Sequence, residues 1–267
     1  MLVTLTTDFG WSDGYIGAMK GVILGINPDA TIVDITHDVA PQNVEQGAFL
    51  FSAAAKYFPA NTVHIVVVDP GVGSTRRAIA IQAGNTLFVA PDNGVLTQAI
   101  DDYQLTVDSP KIRAVHLNKP VYWLPRVSNT FHGRDIFAPA GAHLSCGVPL
   151  DELGDPIDDW IRLPRASALR TGSEITGRVV HIDRFGNIIT NIGEEMLKGK
   201  DYSRVIVDIG ATKVRGVRQS YSDIALGEFI ALISSSWHLE VAVREGSAAQ
   251  ALGTHIGDQV RVTLDID

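Results

Sequence analysis

Val63-His64-Ile65-Val66-Val67-Val68-Asp69-Pro70-Gly71-Val72-Gly73-Ser74-Thr75-Arg76-Arg77 carries the reading of the fold. Residues 63–68 are mostly β-branched and do not alternate with polar ones, the pattern of a strand buried on both faces of a parallel sheet. An acid then stands at the C-terminal end of the strand, followed by a Gly-rich turn with two arginines. Open α/β sheets place ligands at that end of their strands. Asp69 can hold a guanidinium in a bidentate pair and aim a fixed positive charge at a pocket. Equally, it can cap backbone N–H groups of a surface turn. Gly71-Val72-Gly73 lacks the lysine and spacing of a P-loop, so its glycines read as letting the backbone approach a ligand closely.

Working outward, residues 2–6 read as a first strand and 15–26 as a helix stopped by Asn27-Pro28. Residues 31–35 give a second strand. Ala40-Pro41 opens a second helix with Val44, Ala48, Phe51, Ala55 and Phe58 on one face. Strands at 78–83 and 87–90 are joined through Gly84-Asn85, and a helix is expected around 138–144 with Pro139 near its start. The strand–helix–strand–helix–strand order predicts a mainly parallel sheet covered by helices over residues 1–165. Beyond Leu163-Pro164 the texture changes to short runs at 175–182, 188–192, 204–209, 229–233, 239–243 and 260–266. That spacing predicts a smaller all-β, barrel-like domain over 172–267.

The 267 residues are 45% hydrophobic and 19% charged, with a net charge of −8. This is ordinary globular composition, and it offers no basic patch for nucleic acid. A small-molecule ligand is the expected partner. The single cysteine, Cys146, excludes an intrachain disulfide and a Cys-rich zinc site. The first residues carry no basic n-region, and no apolar run reaches the length of a membrane span. A cytoplasmic chain without a membrane partner is expected.

Several side chains are candidates for chemistry. Asp8 and Asp13 flank the turn after the first strand; Asp8 is placed to meet a ligand, whereas Asp13 suits a helix cap. His132, in Thr130-Phe131-His132-Gly133-Arg134-Asp135, sits beside glycine in a polar turn and can exchange protons near neutral pH. The alternative is a helix-entry turn capped by Thr130 or Asp135. Asp183-Arg184-Phe185-Gly186-Asn187 reads as a hairpin turn whose polar groups can also reach a ligand. His37, His64 and His132 with Asp34, Asp38 and Asp69 lack any recognised metal-ligand spacing, and no metal is expected.

In order along the chain, Thr6-Thr7-Asp8-Phe9-Gly10, Asp34-Ile35-Thr36-His37, Val68-Asp69-Pro70-Gly71-Val72-Gly73, Pro91-Asp92-Asn93-Gly94, Thr130-Phe131-His132-Gly133-Arg134-Asp135 and Phe185-Gly186-Asn187 resemble the S-adenosyl-L-methionine hydroxide adenosyltransferase family, relatives of the fluorinases and chlorinases. The resemblance covers essentially the whole chain. It implies an α/β N-terminal and a β-barrel C-terminal domain, a homotrimer with the site between subunits, no cofactor, and hydrolysis of S-adenosylmethionine to adenosine and methionine. The family's Asp–Arg–His set maps onto Asp69, Arg76 and His132, with Arg77 the neighbour that competes for the assignment. The halogenases lack that set, so its presence implies water as nucleophile.

By the same resemblance, Asp8 meets the ribose hydroxyls and Asp183 the methionine ammonium, with Asp13 and Tyr15 nearby. Asn187 is an adenine-side amide, and Ser235 falls where relatives meet methionine and adenine. Two positions depart from the halogenases: Ser236 stands in place of an arginine, and Gln42 in place of an aromatic. A halide-dependent adenosyl transferase and a non-catalytic nucleoside sensor are the competing readings.

Overall fold

A computed structural model describes residues 1–106, 111–164 and 167–264, which fall into two compact units, Met1–Leu163 and Pro164–Asp267. The expected boundary begins at Arg165, which, like Ala166 and the end of the expected strand at 265–266, lies outside the described residues.

The first unit runs β1 (Leu2–Thr7), α1 (Tyr15–Ile26), β2 (Thr31–Thr36), α2 (Val44–Ala55), β3 (Val63–Val67), β4 (Ala78–Ala83), β5 (Thr86–Pro91), α3 (Thr97–Thr106), β6 (Ile112–His116), α4 (Ala138–Ser145) and β7 (Asp155–Ile157). Its seven strands form one sheet in the order β2-β1-β3-β5-β4-β6-β7. The sheet is mixed, which corrects the mainly parallel expectation. β2, β1, β3 and β5 run parallel, but β4, β6 and β7 are antiparallel to their neighbours. The reason is local. Gly84-Asn85 links Ala83 to its partner Thr86, and a two-residue connection can only reverse the chain.

The β3 strand explains its own composition. Val63, Ile65 and Val67 join one hydrophobic cluster with Ile16, Met19, Ile23 and Phe137, while Val66 and Val68 join another with Phe51, Phe88, Leu96 and Ile100. Both faces are covered, so the run needs no polar alternation. α4 follows a π-helical turn at Gly133–Phe137 and has Pro139 in its first turn, where the missing N–H is harmless. α2 starts later than expected, at Val44, because Asn43 caps it by accepting the Gln46 N–H; Pro41 stays in the preceding loop.

His64, the polar member of β3, is buried against Phe51, Phe58 and Phe88, with Nδ1 2.7 Å from the Thr4 hydroxyl. Burial pushes its pKa down from 6.5 to about 4. Between those values the unfolded chain binds the proton and the folded one does not. Stability is therefore full above pH 6.5 and falls as the pH drops toward 4. We expect His64 to account for about 2 kcal/mol of lost stability between pH 7.5 and 5.0. Urea unfolding at both pH values, repeated with His64→Gln, should show a correspondingly flatter dependence in the variant.

The second unit comprises β8 (Leu169–Thr171), β9 (Glu174–Ile182), β10 (Ile188–Gly193), β11 (Ile206–Ile209), β12 (Thr212–Arg215), β13 (Val217–Arg218), β14 (Phe229–Ile233), β15 (His238–Val243), α5 (Ala248–Leu252) and β16 (Gln259–Thr263). The order is β12-β11-β16-β9-β10-β15-β14-β13, with β8 added on β9. β12 and β13 occupy opposite ends of that order, yet only Gly216 separates them in the chain. The sheet must therefore curl until its two ends nearly meet. Gly216 makes the corner at φ +75°, a left-handed conformation that favours glycine. The inward residues Ile175, Val179, Ile188, Val207, Leu239, Val241, Val260 and Val262 fill the interior.

Candidate functional site

The site-bearing loops of the first unit leave the carboxyl ends of parallel strands. Thr7 of β1 is in register with Val67 of β3, so Asp8 and Asp69 emerge side by side. β2 lies on one side of β1 and β3 on the other, which makes this edge a switch point of the sheet. A pocket of about 310 Å³ opens there, lined by Asp8, Phe9, Tyr15, Pro41, Gln42, Val67, Asp69, Val72 and residues 130–133.

Asp69, Arg76 and His132 are joined. Arg76 Nε donates to Asp69 Oδ1 at 2.9 Å, Nη2 donates to Asp69 Oδ2, and Nη2 also donates to His132 Nδ1 at 2.9 Å. Phe137 lies under the guanidinium, 5.2 Å from ring centre to Cζ. The Arg76 and Asp69 side chains are 10% and 5% exposed. Asp69 and His132 line the pocket and Arg76 does not, so its charge is set into the wall behind them. Arg77 turns elsewhere, pairing with Asp92 at 2.7 Å and Asp159 at 2.6 Å, so it is not the arginine of this set.

The glycines of the 71–73 turn serve packing. A Cβ on Gly73, at φ +76°, would sit 2.3 Å from the Asn129 carbonyl oxygen, and one on Gly71 would sit 3.2 Å from Arg76 Cγ. Gly73 lets the arginine loop close onto the 128–132 segment, and Gly71 leaves room for the Arg76 side chain.

A guanidinium has only donors, so His132 Nδ1 must accept, and the neutral ring carries its proton on Nε2. Burial, then the Arg76 charge, holds the His132 pKa below 6.5, against the opposing pull of Asp69 and Asp135. Asp135 caps no helix. Fully buried, it accepts the Ser128 N–H and hydroxyl at 2.7 Å each and pairs with Arg134, and so braces the turn that presents His132. Thr130 lines the pocket and makes no helix cap either.

Asp8 Oδ2 accepts the Gln42 N–H at 2.7 Å. Burial raises its pKa, with the Asp69 charge adding to it, while the Gln42 bond opposes. Tyr15 packs edge-on against Phe9 and Phe131, forming an aromatic side to the pocket. Phe9 and Phe131 flank Asp8 and His132 in the sequence, and that adjacency to polar candidates was the only signal pointing to them. Asp13 is exposed and does not line the pocket, and it caps nothing: Gly14 precedes α1 with no side-chain cap.

The remaining candidates belong to the second unit. Asp183 Oδ1 accepts the Phe185 and Asn187 N–H groups at 2.9 Å, and Asn187 Nδ2 donates to Asp183 Oδ2 at 3.0 Å. These bonds build the β9–β10 turn. Tyr221 donates to the buried Glu240 at 2.6 Å close by, and Asn187 Nδ2 lies 3.5 Å from its oxygen. Ser235 is exposed at the tip of the β14–β15 hairpin, where Ser234 and Ser236 share a hydrogen bond of 2.8 Å. The three histidines weighed for a metal are dispersed: His37 contacts Asp34, His64 contacts Thr4 and His132 contacts Arg76.

Fold and site define an α/β protein with a small-molecule pocket at a sheet switch point and a buried cation in its wall. The SAM hydroxide adenosyltransferase N-terminal domain model matches residues 3–154, and the C-terminal domain model matches residues 177–261. An (R)-S-adenosyl-L-methionine hydrolase of Salinispora tropica is 38% identical over 264 residues, spanning 98% of this chain and 97% of its own. A fluorinase of Nocardia brasiliensis is 27% identical over 296 residues, spanning 98% and 97%. The crystal structure of an uncharacterised conserved protein from Thermotoga maritima superposes with a TM-score of 0.90 at 37% identity, covering 98% of this chain and 100% of that one. The chain belongs to the SAM hydroxide adenosyltransferase family.

Proposed function

We propose that this protein hydrolyses S-adenosyl-L-methionine to adenosine and L-methionine. The observation that carries the proposal is the hydrogen-bonded Asp69–Arg76–His132 set at a pocket that also holds Asp8. Supporting it, the hydrolase relative is closer in sequence than the fluorinase. A water oxygen attacks C5′, the C5′–S bond breaks with its electron pair going to sulfur, and one proton passes to solvent. The leaving group is a neutral thioether, so no general acid is required. The obstacle is the weak nucleophile. A fixed cation in a water-poor wall favours the hydroxide-like form of a water held between Asp69 and His132, and in-line alignment with C5′ and sulfur supplies much of the remaining acceleration.

In this reading His132 orients and does not deprotonate, because its Nδ1 lone pair already receives the Arg76 proton and Nε2 already carries one. The competent ring is neutral, and its pKa lies below 6.5. kcat/KM should therefore hold on descending to pH 6.5 and fall only at lower pH. A pH–rate profile with its acid limb centred above 6.5 would contradict this role.

Asp8 is assigned to the ribose hydroxyls, with Tyr15 beside it and Asp13 at the pocket's approach. Asp183, Asn187 and Ser235 are assigned to the methionine and adenine side. We further propose a cytoplasmic homotrimer in which the second unit of one subunit completes the pocket of its neighbour, with no cofactor or metal. Light scattering of the purified protein tests the trimer. The function itself is tested by incubation with S-adenosylmethionine and chromatography. Adenosine and methionine in equal amounts are expected. Binding without turnover would favour a sensor, and 5′-chloro-5′-deoxyadenosine formed on adding chloride would favour the halide reaction.

A further inference from the structure

His37 takes no part in the reaction just described, yet it is fully buried beside the loop that carries Asp8. The register between β1 and β2 slips between Leu5, opposite Asp34, and Thr6, opposite Thr36, leaving Ile35 as a bulge. In a regular strand Asp34 and His37, three apart, would point to opposite faces. The bulge re-aims them onto one side, where His37 Nε2 lies 3.1 Å from Asp34 Oδ1. Asp34 Oδ2 accepts from Lys20 Nζ at 2.6 Å.

On its other edge the ring reaches the loop. His37 Nδ1 is 2.8 Å from Thr7 Oγ1, and that oxygen accepts the Phe9 N–H at 3.2 Å. The His37 carbonyl accepts the Gly10 N–H at 2.8 Å. His37 therefore grips residues 7–10 at two points that bracket Asp8. Thr7 Oγ1, with two lone pairs, pairs with Nδ1 as donor or as acceptor while still accepting from Phe9, and Nε2 lies beside Asp34 Oδ1 without hydrogen-bond geometry. Burial holds the ring's pKa below its ordinary value, against the pull of Asp34.

We propose that His37, flanked by Asp34 and bonded to Thr7, is a positioning residue that fixes the Asp8 carboxylate toward the 2′,3′-diol of a bound nucleoside. The inference rests on the assignment of Asp8 to the ribose made above. It is tested by calorimetry with two probes, adenosine and 2′,3′-dideoxyadenosine, on the full chain. The wild type should prefer adenosine, and Asp8→Ala should abolish the preference. His37→Ala should cut the preference at least about fivefold, the worth of one well-placed hydrogen bond, and leave dideoxyadenosine affinity unchanged. His37→Asn, whose side-chain amide can replace Nδ1 as the partner of Thr7 Oγ1, should restore most of it. Should His37→Ala fail to fold, Asp34→Asn must show the same selective loss. If the wild type has no preference, or Asp8→Ala keeps it, the Asp8 assignment is wrong and the proposal falls with it. If Asp8→Ala loses the preference while His37→Ala, or Asp34→Asn in its place, retains it or weakens both probes equally, the assignment stands and positioning by His37 is refuted.

Discussion

Arg76→Lys should lower kcat/KM for S-adenosylmethionine by about 10²–10³-fold while leaving the protein folded. Lysine keeps the charge but not the planar fork. Arg76 meets both Asp69 oxygens through Nε and Nη2 and, from the same Nη2, holds His132 Nδ1. An ammonium on a shorter reach can satisfy Asp69 but cannot hold both partners in that geometry. The loss should fall on kcat and little on KM, because the cation acts on the nucleophilic water, whose hydroxide-like form it favours, and not on the bound substrate. The conservative variant is the informative one. Arg76→Ala would leave the 5% exposed Asp69 carboxylate without its counter-ion, and destabilisation of about 3–5 kcal/mol would confuse the kinetic result. Steady-state kinetics with a parallel melting curve decides; Arg76→Lys within threefold of wild type would remove the guanidinium from the mechanism.

Gly73→Ala should reduce kcat/KM about a hundredfold through backbone geometry alone. Its new Cβ would lie 2.3 Å from the Asn129 carbonyl oxygen, and the position sits at φ +76°. Backbone cannot rotate away as a side chain can, so the 69–77 loop and the 128–132 segment must part. The first carries Asp69 and Arg76 and the second leads into His132, so the separation is spent on the 2.9 Å link between them. Gly147→Ala is the control. It has a comparable φ of +89° with nothing within 4 Å of the added methyl, so it should cost about 1 kcal/mol of stability and no activity. Equal activity losses in the two variants would show that left-handed strain, not the loop contact, is responsible.

Much of the sheet was readable because hydrophobic pattern reports burial directly. The unbroken run at 63–68 could only be covered on both faces, and the alternating runs after 174 could only be strands with one face inward. Strand direction was missed although Gly84-Asn85 already implied it: pattern says that a segment is a strand, while a short turn dictates which way the next one runs. The Asp69 and His132 neighbourhoods stood out as polar residues beside glycine at strand and helix ends. His37 did not. Its partner Asp34 reaches it only through a bulge at Ile35, and a one-residue slip leaves no mark in composition.

The sequence by itself determined the elements, their buried faces and the six motifs that mark the family, because each depends on residues near one another along the chain. Which arginine faces the acid, which nitrogen of His132 carries the proton and which loop Gly73 must accommodate were decided only by the tertiary structure. The first turns on which of two adjacent arginines points back at Asp69, and the other two on distances of 3 Å or less between segments more than 50 residues apart, as between Arg76 and His132. Hydrogen bonds and hard-sphere contacts act only at such distances, and no local pattern encodes them.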